Sequence, residues 1–183
     1  MVFKLHNTSS APQASKAMLS DSLKKFGLIP NLHAVMAESP NVLASYKYLH
    51  EKFKTSSLNT EELTVVWQTI NVEHACHYCV PAHTGIAHMM KVAPEITEAL
   101  RNSSALPSAR LQVLHELTLD ILRTRGMPNK EKLDAFFEQG YKKAQLLERI
   151  LGLSQKVMSN YINHLSEMPV DKAFVQYIWP QSS

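Results

Sequence analysis

Apolar residues recur along this chain at three- and four-residue spacing, with polar residues between them. That is the pattern of amphipathic helices that each turn one face inward. Residues from about 40 to 54 set Val42, Leu43, Tyr46, Leu49 and Phe53 on one face. Thr60 reads as the N-cap of a helix that runs through Leu63, Val66, Trp67 and Ile70. Residues from about 108 to 125 gather Leu111, Leu114, Leu117, Ile121 and Leu122. Residues from about 143 to 165 gather Leu146, Leu147, Ile150, Leu153, Val157 and Tyr161. Pro30, Pro40, Pro94, Pro107 and Pro128 stand where such segments begin, and Gly126 and Gly140 fit helix ends. No strand-like alternation competes, so the expected fold class is all-α.

The organisation expected is a single helical domain over 1–183. Its first 15 or so residues and its last few are polar and read as loosely ordered. Arg101–Ser108 offers a link between two helical halves.

Composition changes this picture little. The hydrophobic fraction is 45 % and the net charge +3, with a mean hydropathy of −0.17 and a pI near 8.8. The basic residues are scattered, which argues against a nucleic-acid partner. No apolar run reaches the ~20 residues of a bilayer span, so no membrane partner is expected. The N-terminus lacks the apolar core of a secretory signal, so a cytoplasmic location is expected. Thiols there are kept reduced, which argues against a structural disulfide.

The candidate chemistry lies in Glu73-His74-Ala75-Cys76-His77-Tyr78-Cys79-Val80-Pro81-Ala82-His83-Thr84. Both cysteines are here, and four of the nine histidines fall between residues 74 and 88. On a helix turning about 100° per residue, Cys76, Cys79 and His83 share one face. Pro81 is best accommodated in a first turn, which puts the helix start near Cys76–Cys79 and the end of the preceding helix near Glu73–Ala75. A thiol at a helix N-terminus meets unpaired N–H groups and the positive end of the dipole, and both favour thiolate. A nearby histidine takes the proton, and a second cysteine resolves a sulfenic acid or mixed disulfide. A second arrangement uses the same atoms: Cys76 and Cys79 with one or two of His74, His77 and His83 are zinc-type donors, as in a zinc-binding or structural helical module.

Cys-x-x-Cys-x-x-x-His after a helix that opens Leu58-x-x-Glu61-Glu62 resembles the AhpD-like alkylhydroperoxidases, a group classed with the carboxymuconolactone decarboxylases. Tyr78-Cys79-x-x-Ala82-His83-Thr84 is close to the family wording, and Asn160-Tyr161-x-Asn163-His164 is similar to its peroxidase-related members. The resemblance runs from about Pro30 to Phe174. It implies an AhpD-like multi-helix bundle with the CxxC at the N-terminus of a central helix, assembled as a homo-oligomer. It further implies a thiol-dependent hydroperoxide reductase that needs no cofactor. Cys79 would attack the peroxide, Cys76 would resolve, His83 would relay the proton and an external dithiol would reopen the disulfide. The family glutamate twelve residues before the first cysteine is Thr64 here; Glu62 and Glu73 are the nearest carboxylates, and Glu73 is the candidate to complete the relay. Tyr78 stands where the family often has histidine, with His77 one place earlier. These departures keep open a disulfide reductase or redox sensor without peroxidase turnover. Decarboxylation of the lactone type does not call for paired cysteines.

Among the remaining residues, His88 reads as surface and His115 as a satisfied core histidine. Asn163 and His164 read as braces of the last long helix. Trp67, Trp179 and the Met89–Met90 pair read as packing or interface residues.

Overall fold

The computed structural model describes residues 3–179. Within them regular structure is helical: α1 (Gln13–Phe26), α2 (Asn31–Met36), α3 (Pro40–Lys54), α4 (Thr60–Glu73), α5 (Cys79–Met89), α6 (Pro94–Arg101), α7 (Ala109–Arg123), α8 (Lys130–Glu138) and α9 (Lys143–Ser166), then a 3₁₀ segment, Lys172–Tyr177. Five starts follow the proline signals: Pro30 stands at the N-cap of α2, Pro40 and Pro94 open their helices, and Ser108 and Asn129, each just after a proline, cap α7 and α8.

α4 lies at the centre, against α5, α6, α7 and α9. Every residue from Glu62 to Asn71 is buried, so this helix has no solvent face in that stretch. Its cap is Asn59 rather than the expected Thr60. The Asn59 side chain accepts the Glu62 N–H at 2.9 Å, and the Glu62 carboxylate accepts the Asn59 N–H at 3.0 Å. This reciprocal pair satisfies two otherwise unpaired donors at the helix start.

Two apolar clusters flank α4. One gathers Phe53, Trp67, Ile70, Ile96, Leu114, Leu117 and Phe136; the other gathers Leu19, Leu32, Met36, Leu43, Tyr46 and Met168 together with both cysteines. Burying each large side chain contributes about 1.5–3 kcal/mol, so the cysteines sit in a region whose closure is strongly favoured. Arg101–Ser108 joins α6 to α7, and Leu100 and Leu111 on either side of it belong to one cluster.

Two expectations change. The N-terminal stretch, read as loose through about residue 15, is held to the fold from His6 on, while Phe3, Lys4 and Leu5 are exposed. His6 meets Glu38 at 2.6 Å and its N–H donates to Ala34, while the Ser15 hydroxyl donates to Ala37 at 2.7 Å. Asn7, Ser9 and Ser10 bond one another in a local turn between these two anchors. The last few residues, also read as loose, lie outside the described residues from 180 on.

The second change is α9. Its inward side is Arg149, Gly152, Gln155, Lys156, Ser159, Asn160 and Asn163. Leu147, Ile150 and Tyr161, from the face read as buried, are exposed. Gly152 permits the close crossing on α3, since a Cβ there would stand 2.7 Å from the Phe53 ring.

Candidate active site

α4 ends in a reversal that delivers the cysteines. The Ala75 N–H donates to Val72 and the Cys76 N–H to Asn71, the paired bonds of a Schellman C-cap. Ala75 takes the left-handed conformation at φ 48°, a strain of roughly 1–2 kcal/mol for a residue with a Cβ. Cys76 then lies in the turn and Cys79 opens α5. Pro81 occupies the third position of that helix, where its missing N–H leaves no bond broken. The expected helix boundaries on both sides of the motif hold.

Cys76 is 0 % and Cys79 1 % exposed, and both are free thiols. The Cys79 N–H donates to Cys76 Sγ at 3.3 Å, and Cys76 Sγ–H donates to Asn163 Oδ1 at 3.4 Å. The first turn of α5 is clamped from α4. Gln68 Nε2 donates to Val80 O and to Thr84 Oγ1, and Asn71 Nδ2 donates to Gln68 Oε1 and Cys79 O. Asn160 Nδ2 donates to Asn71 Oδ1 at 3.1 Å, tying α9 into the same network.

His83 lies one turn beyond Cys79 on α5, its ring 4.9 Å from that of Trp67. Its Nε2 meets Lys156 Nζ at 3.0 Å. Burial pushes the His83 pKa well down, and Lys156 adds to this, so the imidazole is neutral. The two thiols are pushed apart. Burial raises Cys79, but the Cys76 thiol, Lys156, Asn160 and Ser159 outweigh it and bring the pKa down to about 6. Cys76 is raised, first by its hydrogen bond with Cys79 and then by burial. The surroundings thus favour the thiolate on Cys79 and the thiol on Cys76.

Cys76, Cys79 and His83 are all buried, Cys79 and His83 one turn apart on α5, and Glu73 is engaged elsewhere. Arg123 holds the Glu73 carboxylate bidentately, 2.7 Å to each oxygen, and Glu73 makes no hydrogen bond to either thiol or to His83. Glu62 is committed to its cap and to Arg110. Thr64, at the family glutamate position, donates to Thr60 of its own helix. Tyr78, between the cysteines, donates to Asp171 at 2.6 Å and accepts the Leu32 N–H.

The zinc-type donors do not converge. His74 pairs with Asn160, His83 with Lys156, and His77 is exposed. Among the described residues no group of three or more His, Cys, Asp or Glu side chains is placed to hold a metal ion. His115 is satisfied by Thr69 at 2.7 Å, as expected of a core histidine. Trp179 donates to Arg101 O and braces the C-terminal segment.

The sequence reading leaves out Lys156 and Ser159, names Asn160 only as part of a family motif, and takes Asn163 for a brace of α9. Their signal was present: positions 156, 159, 160 and 163 repeat at i, i+3, i+4, i+7, a polar stripe as regular as any apolar one.

No family model matches the chain, and no curated protein sequence matches it. Solved structures do. An AhpD-core, uncharacterised peroxidase-related protein from Ralstonia eutropha JMP134 superposes with a TM-score of 0.82 at 17 % identity, covering 94 % of this chain and 93 % of its own. An uncharacterised peroxidase-related protein from Silicibacter sp. TM1040 gives 0.77 at 15 %, covering 89 % and 87 %. A cysteine-to-alanine variant of the debrominase Bmp8, in complex with 2,3,4-tribromopyrrole, gives 0.78 at 15 %, covering 94 % and 93 %. The chain has the all-helical fold of the AhpD core, with its paired cysteines at the start of a central helix.

Proposed function

We propose that the protein is a thiol-dependent hydroperoxide reductase cycling through a Cys76–Cys79 disulfide. One observation carries the reading: two free thiols three residues apart at the start of α5, both walled off from water, the Cys79 N–H donating to Cys76 Sγ at 3.3 Å. The Cys79 thiolate attacks the outer oxygen of ROOH. The S–O bond forms, the O–O bond breaks, and the alkoxide leaves and is protonated to ROH. Cys76 then attacks the sulfenic sulfur, the disulfide closes, and hydroxide leaves with the Cys76 proton as water. An external dithiol restores both thiols by exchange. Burial of both sulfurs favours a small hydroperoxide over a bulky protein disulfide. Glu73, held by Arg123, takes no part.

In this reading the protein works in the cytoplasm, where a dithiol donor is at hand. No helix among the described residues is long and apolar enough to cross a membrane. It assembles with copies of itself, a reading supported by the exposed apolar residues Leu147, Ile150, Tyr161 and Leu165 along α9.

The test is a thiol titration before and after one equivalent of cumene hydroperoxide, in wild type and in Cys79→Ser. Loss of two thiols with release of cumyl alcohol in wild type, and neither in the variant, is expected. Retention of both thiols in wild type would overturn the assignment. Thiol loss that a dithiol donor cannot turn into steady peroxide consumption would mark a redox sensor instead.

A further inference from the structure

Lys156 is the side chain this scheme has not used. It is 1 % exposed, and none of the ion pairs among the described residues gives it a carboxylate. An ammonium buried without an anion is strongly unfavourable. The titratable groups acting on it and on Cys79 are Cys76, Tyr78 and His83, with Tyr46 and His50 from α3. At neutral pH the two tyrosines are protonated and the two histidines uncharged, since burial, the largest cause in each case, raises the tyrosines and lowers the histidines. The one anion left to compensate Lys156 is a thiolate.

The contact with His83 adds a direction. An ammonium only donates, so His83 Nε2 is the acceptor and the neutral ring carries its proton on Nδ1. That Nδ1 is buried and has no hydrogen-bond partner among the described residues. A buried imidazole N–H left without an acceptor marks where a ligand oxygen completes the set.

We propose that Lys156 is the counter-ion of the Cys79 thiolate and holds the proton that the leaving alkoxide receives through His83. The inference rests on the peroxidase reading for the transfer step. The ion pair rests on the burial of Lys156 without a carboxylate and on its 3.0 Å contact with His83, one turn beyond Cys79 on α5. Burial lowers the Lys156 pKa and the two sulfurs oppose it. As the O–O bond breaks, the alkoxide takes the proton from His83 Nδ1 while Nε2 takes one from Lys156. The imidazole ends neutral with its proton moved, and Lys156 ends as an amine. The three protons at the start (hydroperoxide, Cys76 thiol, Lys156 ammonium) are the three at the end (one on the alcohol, two on water). When a dithiol reopens the disulfide, the returning Cys79 thiolate is again matched by a protonated Lys156. The lysine thereby occupies the place in the relay that Thr64 leaves empty.

The experiment titrates the thiolate by its ultraviolet absorbance in wild type and Lys156→Met, each measured against its Cys79→Ser counterpart. A midpoint near pH 6 is expected in wild type. It should rise by more than about one unit in Lys156→Met, a tenfold loss of thiolate at acidic pH. An unchanged midpoint would overturn the ion pair. No peroxide enters this titration, so it separates failure of the lysine's role from failure of the peroxidase reading. If Lys156→Met does not fold, the wild-type protein answers through its proton balance. One turnover with cumene hydroperoxide in weak buffer at pH 7 should take up no proton from solvent, because Lys156 supplies it. Uptake of one proton per disulfide would overturn the relay.

Discussion

α7 and α9 are both long helices with apolar residues at helical spacing, and they face opposite ways. In α7 the pattern means what it says: Leu111, Leu114, Leu117 and Ile121 are buried, and Gln112 and Glu116 bond each other at the surface. In α9 the polar residues are inside, while Leu147 and Leu165 are 70 % and 72 % exposed. The difference lies in what awaits each face. α7 meets Val66 and Ile70 of α4 in an apolar cluster. α9 meets groups that need partners: Trp67 Nε1–H donates to Gln155, which donates on to Tyr46; Asn160 serves Asn71, and Asn163 accepts from Cys76. Burying a polar side chain costs little when its bonds are remade inside and a great deal when they are not. Asn163 Nδ2 and Arg149 are the exceptions on this face: among the described residues neither Nδ2 nor the three guanidinium nitrogens have hydrogen-bond partners, and the Arg149 charge stands 4.0 Å over the Phe136 ring.

The contrast can be broken most forcefully at α7. Leu114→Ala should lose about 2–5 kcal/mol in chemical denaturation, since the side chain is fully buried among hydrocarbon. Asn160→Ala removes the bonds to Asn71 and His74 and should cost about 1–3 kcal/mol. Unlike Leu114→Ala, it should also raise the Cys79 titration midpoint, because Asn160 helps hold the thiolate. Acid provides a third probe. Burial, the largest cause for each, lowers His33 to about 3 and His50 to about 4. The unfolded chain binds these protons below pH 6.5 and the folded chain does not. The share of stability these two histidines contribute should therefore be level above pH 6.5 and fall toward pH 4, by up to about 1.4 kcal/mol per pH unit for each histidine. Denaturation midpoints at pH 7.5 and 5 check this, and His33→Phe should flatten the slope. The smallest effect belongs to the outer face of α9: Leu165→Ala should change monomer stability by no more than about 0.5 kcal/mol. A larger loss at high protein concentration alone would show that a second copy covers this face.

The helices and the thiol pair were legible because their signals are local. The α4–α5 junction follows from Pro81 and the cysteine spacing within a dozen residues, and α3, α7 and α9 fall within two residues of the segments their periodicity marks. What was hidden depends on partners far along the chain. Nothing near Glu73 says that Arg123, fifty residues on, will hold its carboxylate. Nothing near Tyr78 announces Asp171. The orientation of α9 was misread because an amphipathic pattern gives two faces without naming the inner one, and the usual assumption puts the apolar face inside. Lys156 looks like any surface lysine until His83 and the thiols are seen beneath it.

The distance between those two partners along the chain has a consequence for biosynthesis. Lys156 follows His83 by 73 residues, which at ~5–20 residues per second separates their emergence from the ribosome by roughly 4–15 seconds. Through that interval the cysteines lack Lys156, Ser159 and Asn160, which lower the Cys79 pKa in the folded chain. In the proposed scheme activation arrives with the last long helix, and a nascent or truncated chain carries the motif without it.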